Sequence, residues 1–208
     1  AEETTQKAED TSEKIDIRIA GLKGPTSIGM VQLMEAAEQE NTSNNYTFSI
    51  FGSADEVTPK LVQGQLDIAA VPSNLASVLY NNTQGAIQLL AVNTLGVLYI
   101  VETGNTITSF NDLKGKTIYC TGKGSSPEYG LRYLLKENGI DPDKDLTLEW
   151  KSEPTEVVSL LSQAGGGIAM LPQPYVTVAQ SKIENLRIAI DLNKEWEKLE
   201  NGSLMITG

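Results

Sequence analysis

The sequence predicts an α/β protein: two Rossmann-like lobes, each built on a mainly parallel sheet, joined by a hinge. Three observations carry this. From residue 15 onward, strand-like and helix-like segments alternate with short connections, the pattern of parallel strands with helices on both faces. The alternation occurs twice. At an offset of 100 residues Lys23-Gly24 faces Lys123-Gly124, and Ile68, Ala69 and Pro72 face Ile168, Ala169 and Pro172. Between the passes lies AVNTLGVLYIVETGNTITSF, where residues 94–96 can bend the chain. The expected organisation is an acidic tether over 1–14, a first lobe over 15–96, a second lobe over 97–204, and the start of a second crossing over 205–208. On that plan the first lobe lacks its returning strand and terminal helices.

Each element has a local reason. Residues 1–14 contain no large aliphatic or aromatic side chain, so ordering them is not offset by apolar burial. Residues 15–22 alternate in the β manner and stop at glycines. Residues 28–37 place Val31, Leu33, Met34 and Ala37 at helical spacing. A strand follows at 46–51, and a helix at 54–64 carries Val57, Leu61 and Val62. The continuous apolar run 67–71 fits a strand covered on both faces. A helix spans 75–80, and 87–92 is again an apolar, strand-like run. After the crossing, 98–101 is a strand and 102–106 (ETGNT) a turn. The second pass has strands at 116–120, 146–150, 167–171 and 187–190. Its helices are 128–138, ended by Gly139, 155–163, and 174–182 with Pro near the first turn.

The composition narrows the function classes. The chain has 208 residues, 16 Lys+Arg, 27 Asp+Glu and no His, for a net charge of −11. Without His there is no His-based triad, general base or metal site. The acidic balance opposes sequence-independent phosphate-backbone binding, so no nucleic-acid partner is expected. No apolar run approaches the ~20 residues of a spanning helix. The single cysteine, Cys120, ends an expected buried strand and reads as core. The Gly165-Gly166-Gly167 run precedes a strand and reads as a helix stop, and no phosphate-loop or calcium-loop spacing occurs. No cofactor is expected.

In open parallel sheets ligands bind beyond the carboxyl ends of the strands. Four loops take that place: 23–27 (KGPTS), 72–74 (PSN), 123–127 (KGSSP) and 172–175 (PQPY). Helix N-termini there offer unpaired N–H groups and a partial positive charge, and Thr26, Ser27, Ser125 and Ser126 add hydroxyls, suiting a small oxyanion. Ser and Thr are equally ordinary N-caps; four equivalent loops facing one crevice favour binding. Tyr99, Tyr129 and Tyr175 offer stacking surfaces, while Lys23 and Lys123 offer positive charge. Arg132 reads as a surface residue.

With those loops placed, the chain resembles the type II substrate-binding proteins of ABC transporters, in particular the nitrate, sulfonate, taurine and pyrimidine-precursor binders. The resemblance rests on VQGQLDIAAVPSNLASVLYN (62–81), ITSFNDLKGKTIYCTGKGSS (107–126), LRYLLKENGIDPDKDL (131–146) and IAMLPQPYVTVAQSK (168–182). It implies a non-enzymatic receptor that closes two lobes over a small-molecule ligand, an anion or a heterocycle, and presents it to an ABC permease. It implies ligand contacts from Gly24, Thr26, Ser27, Ser73, Asn74, Gly124, Ser125, Ser126 and Gln173, with Tyr175 beside them. It implies an extracytoplasmic protein, periplasmic or a cell-surface lipoprotein, touching a membrane only through a lipid anchor outside this chain. Members commonly continue past the position of Gly208, so a fragment or an unusually short relative is expected. Two other readings share the fold. One is an enzyme of the pyrimidine-precursor or menaquinone-pathway type, with Glu128 and Asp55 as acid–base candidates. The other is the effector-sensing part of a LysR-type regulator.

Overall fold

The computed structural model describes residues 13–199 and 202–207. Of the expected tether, residues 1–12 lie outside the described residues, as does Gly208. The first sheet contains β1 (Asp16–Leu22), β2 (Asn45–Phe51) and β3 (Ile68–Ala69) in the order β2-β1-β3, all parallel. Between these strands lie α1 (Pro25–Ile28), α2 (Val31–Glu38) and α3 (Ala54–Val62), and α4 (Ser73–Asn82) follows β3. A short strand β4 (Thr94–Leu95) leads to β5 (Leu98–Thr103). The second pass comprises β6 (Thr117–Thr121), α5 (Ser126–Glu137), β7 (Thr147–Lys151), α6 (Pro154–Gln163), β8 (Ile168–Pro172), α7 (Tyr175–Lys182), β9 (Leu186–Asp191), α8 (Leu192–Glu197) and β10 (Met205–Thr207).

The second sheet has the order β7-β6-β8-β5-β9. Its first three strands are parallel and repeat the first sheet's plan: β6 stands for β1, β7 for β2 and β8 for β3. The residue offset seen in the sequence therefore maps one sheet onto the other. β5 is the exception within the mainly parallel plan, running antiparallel to β8 and β9. β10 pairs antiparallel with β4, so the two stretches read as crossings lie side by side.

Period-2 alternation divides the second sheet's side chains between two cores. Ile100, Ile118, Cys120 and Met170 join Leu131, Leu134 and Leu135 of α5. Val101, Ala169 and Leu171 join Val157, Val158 and Leu161 of α6 and Val176 and Ala179 of α7. Leu131, Leu134 and Leu135 lie on one face of α5, as the i, i+3, i+4 rule requires. The helix ends where Gly139, at φ 70, lets Ile140 N–H reach Leu135 O at 3.0 Å. The first sheet's core is smaller, built from Ala20, Val57, Leu66 and Val71.

Several elements differ from expectation. The helix over 28–37 is two helices, α1 and α2, broken at Gly29 and Met30, and no residue of α2 is buried. The run 67–71 contributes a two-residue ladder. Residues 87–92 form no strand, and Leu89 and Leu90 are 53% and 77% exposed. Among the described residues no strand lies beyond β3 to pair with this run. Helix α8 was missed, although Asp191 is an ordinary N-cap, accepting from Asn193 N–H at 3.1 Å and Lys194 N–H at 3.2 Å.

The ETGNT turn is anchored by a buried carboxylate that its sequence did not disclose. Glu102 is 1% exposed. It accepts from Ile107 N–H (2.9 Å), Thr106 N–H (3.1 Å) and Thr106 Oγ1 (2.8 Å), and pairs with Arg187 of β9. Burial opposes its charge, but these hydrogen bonds outweigh burial and hold its carboxyl below the usual glutamate range. Glu102→Ala strands Arg187 and two backbone N–H groups. The expected loss is about 2–3 kcal/mol in urea denaturation, below the figure for a fully enclosed pair because Arg187 reaches solvent. Because the folded pKa is lowered, the wild-type contribution is complete above the ordinary glutamate pKa and is lost as pH falls through the folded value. The variant's stability should therefore fall less steeply on the acid side.

Candidate functional site

The four loops singled out in the sequence all follow a strand's carboxyl end, two from each sheet: β1 and β3 from the first, β6 and β8 from the second. The structure brings them together in three groups. In the first group, Asn74 meets the start of α5. Its Oδ1 accepts from Ser126 N–H at 2.9 Å and Ser126 Oγ at 3.1 Å, and its Nδ2 donates to Gly124 O at 3.3 Å. Ser73 Oγ lies 3.0 Å from Ser126 Oγ. In the second group, Tyr175 packs on Gly24; a Cβ at Gly24 would stand 3.0 Å from its ring.

The third group is ionic. Lys23 Nζ lies 3.2 Å from Glu153 Oε1 and donates to Oε2 at 3.4 Å. Glu153 precedes α6 as its N-cap residue, and it also crowds Gly52, where a Cβ would fall 2.5 Å from Oε1. Tyr175 stands beside this pair. Burial pushes its hydroxyl pKa up, Glu153 adds to the rise and Lys23 opposes it. Sequence reasoning named Lys23 and missed Glu153; the Glu-Pro at 153–154, a helix-start signal, was the trace it left.

The hydroxyls expected to project from helix starts are used inside their own loops. Thr26 Oγ1 and Ser27 Oγ both donate to Leu22 O, at 2.7 and 2.6 Å. Ser125 Oγ donates to Gly122 O at 2.7 Å. These three residues hold the turns rather than cap the helices. The start of α5 is satisfied by Asn74 and by Glu128, whose Oε2 accepts from Gly124 N–H at 2.7 Å. Gln173 caps α7, accepting from Thr177 N–H and Oγ1 at 3.4 and 3.1 Å.

Gln173 also lines a solvent-open cavity of about 360 Å³ with Pro25, Ile28, Asn93, Leu95 and Pro174, beside the β4 crossing. None of the other nine expected contact residues lines it. Arg132 pairs with Asp143 at 2.6 Å and Glu128 at 3.6 Å. Asp55 occupies the first turn of α3. Cys120 is buried, and burial pushes its thiol up to about 12, which makes it a core residue and a poor nucleophile. Among the described residues, no group of three or more His, Cys, Asp or Glu could hold a metal ion. No helix among the described residues is long and apolar enough to cross a membrane.

Two sheets of one plan bring their strand-end loops together, at the edge where parallel α/β sheets generally bind ligands. The family model described as the phosphonate periplasmic substrate-binding protein of ABC transporters matches residues 31–188. The chain belongs to this family. Family membership implies an extracytoplasmic location. Among solved structures, an ABC transporter protein from Parabacteroides distasonis is 26% identical, with a TM-score of 0.66 over 87% of this chain and 60% of that one. The aliphatic sulphonate binding protein SsuA from Escherichia coli, 17% identical, shares the fold with a TM-score of 0.65, over 94% of this chain and 64% of that one. The binding protein YtlA of Bacillus subtilis is 25% identical over 133 residues, 62% of this chain and 39% of its own. The chain spans less than two thirds of the length of each of these relatives.

Gly24 carries a testable part of the geometry. Its φ of 105° and ψ of −145° lie in backbone space that only glycine adopts without strain, and Tyr175 occupies the space a methyl would need. Gly24→Ala should cost about 1–3 kcal/mol in chemical denaturation. Combining it with Tyr175→Ala should recover the steric part and leave the backbone part.

Proposed function

We propose that the protein is the solute-capturing component of an ABC importer, and that it holds a small oxyanion between two lobes covering about 15–96 and 97–204. The observation that carries this reading is the start of α5. It faces Ser73 and Asn74 across the crevice, and its Ser126 N–H is aimed at an acceptor oxygen on the other side. An oxyanion there would receive N–H and hydroxyl donors together with the positive end of a helix. Gly24, Ser73 and Asn74 form one wall of the proposed site, and Gly124, Ser126 and Tyr175 the other. Thr26, Ser27, Ser125 and Gln173 hold the loops in shape.

Phosphonates are the first ligand class to try, given the family's description, and sulfonates the second, given the fold shared with SsuA. Binding would favour the arrangement in which both walls engage the solute, a population shift in the usual sense. The adjacent β4 and β10 strands suit a two-stranded hinge. A permease would read the closed form. A non-enzymatic role fits the chemistry of the crevice: the chain contains no histidine, and Glu128 is engaged by Gly124 and Arg132.

The test is thermal unfolding with methylphosphonate, ethylphosphonate, methanesulfonate, taurine, nitrate and a neutral pyrimidine. A ligand at ~1,000 times its Kd adds about 4 kcal/mol, several degrees in Tm. The expectation is a shift with a phosphonate or sulfonate, and a loss of about ten-fold or more in affinity for it in Ser126→Ala, the range of a hydrogen bond to a charged group. A shift from the neutral solute alone, insensitive to Ser126→Ala, would overturn the oxyanion assignment.

A further inference from the structure

Among the described residues, two sets of polar contacts join the facing loops of the two sheets. One is the Lys23–Glu153 ion pair, between the loop after β1 and the start of α6, 130 residues apart. The other joins Asn74, after β3, to Ser126 and Gly124 at the start of α5. Each ties a loop of the first sheet to a loop of the second. Both contacts hold in the arrangement the structure shows.

We propose that these contacts are latches that set how far the crevice stands open before a solute enters, and that Glu153 and Asn74 compete with the solute for its donors. The proposal rests on the hinged-receptor reading and adds a regulation to it. The Lys23 ammonium and the Ser126 N–H are donors an incoming oxyanion would use. Both already have a protein acceptor, the Glu153 carboxylate and the Asn74 carboxamide oxygen. A solute therefore gains only the difference between its own hydrogen bonds and those it displaces. Any fraction of the protein held latched also lowers apparent affinity in proportion. The two latches differ in kind. Lys23 and Glu153 side chains are 51% and 31% exposed, so their attraction is screened by salt. The Asn74 cluster is made of neutral groups and is insensitive to screening.

The experiment reads the opening of the solute-free protein, so it does not depend on the ligand's identity. Cysteines introduced by Ser43→Cys and Lys136→Cys, both exposed positions, carry a donor–acceptor dye pair, while native Cys120 stays buried. Lys23→Glu should lower the closed-to-open ratio by roughly two- to five-fold, the range an exposed ion pair supports. The charge-swapped double variant, Lys23→Glu with Glu153→Lys, should restore it. Raising NaCl from 0.05 to 0.5 M should open the wild type and leave the Lys23→Ala, Glu153→Ala double variant unchanged. Asn74→Ala should open the protein at both salt concentrations. If the swap fails to restore closure, or if Lys23→Glu and Asn74→Ala leave the distance distribution unchanged, the latch proposal is overturned. Methylphosphonate added to those same variants keeps the two ideas apart: closure on its addition, with no effect of the latch substitutions, sinks the latches and spares the receptor.

Discussion

A parallel strand that runs into a helix leaves its loop at one fixed edge of the sheet, and every other β–α unit in that sheet does the same. The crevice depends on this constraint. Because β1 and β3 on one side and β6 and β8 on the other obey it, loops far apart in sequence share one narrow region. Glycines let the chain turn, prolines and serines start helices, and the strand order does the positioning. The two sheets share the order β2-β1-β3 and β7-β6-β8, so the same edge arises twice and the two edges face each other.

What the loops do with this proximity is a matter of local hydrogen-bond accounting. Every helix start has more N–H groups than its own turn can use. Where α1 begins, Thr26 and Ser27 turn their hydroxyls back to Leu22 O, tightening the turn. Where α5 begins, the demand is met from the opposite wall by Asn74. The difference makes one loop a scaffold and the other half of an interface. The Lys23–Glu153 pair adds about 0.2–1 kcal/mol at most for such solvent-touched charges. That is small against the stability of a folded domain.

The strand–helix alternation and the repeat were legible because apolar periodicity and residue identity at a fixed offset are local properties. The end of α5 followed from Gly139, a residue with one dominant conformational effect. Strand direction was not legible at β5: an apolar run reads the same whichever way its neighbours point. The run at 87–92 misled for a related reason, since a strand exists only with a partner to pair with. Glu153 and Glu102 escaped notice because a carboxylate's meaning lies in what faces it, and their partners are 130 and 85 residues away. The serines and threonines of these loops could be listed from the sequence, but the direction of a hydroxyl depends on which acceptor the finished turn leaves nearest.

The two sheets rest on unequal foundations. The second is packed on both faces, against α5 on one side and α6 and α7 on the other. The first has a small interior around Val57 and Leu66, and its α2 buries no residue. Cohesion in such a molecule is graded rather than uniform. On that grading, amide protons in β6 and β8 are expected to exchange with solvent more slowly than those of β2 and α2.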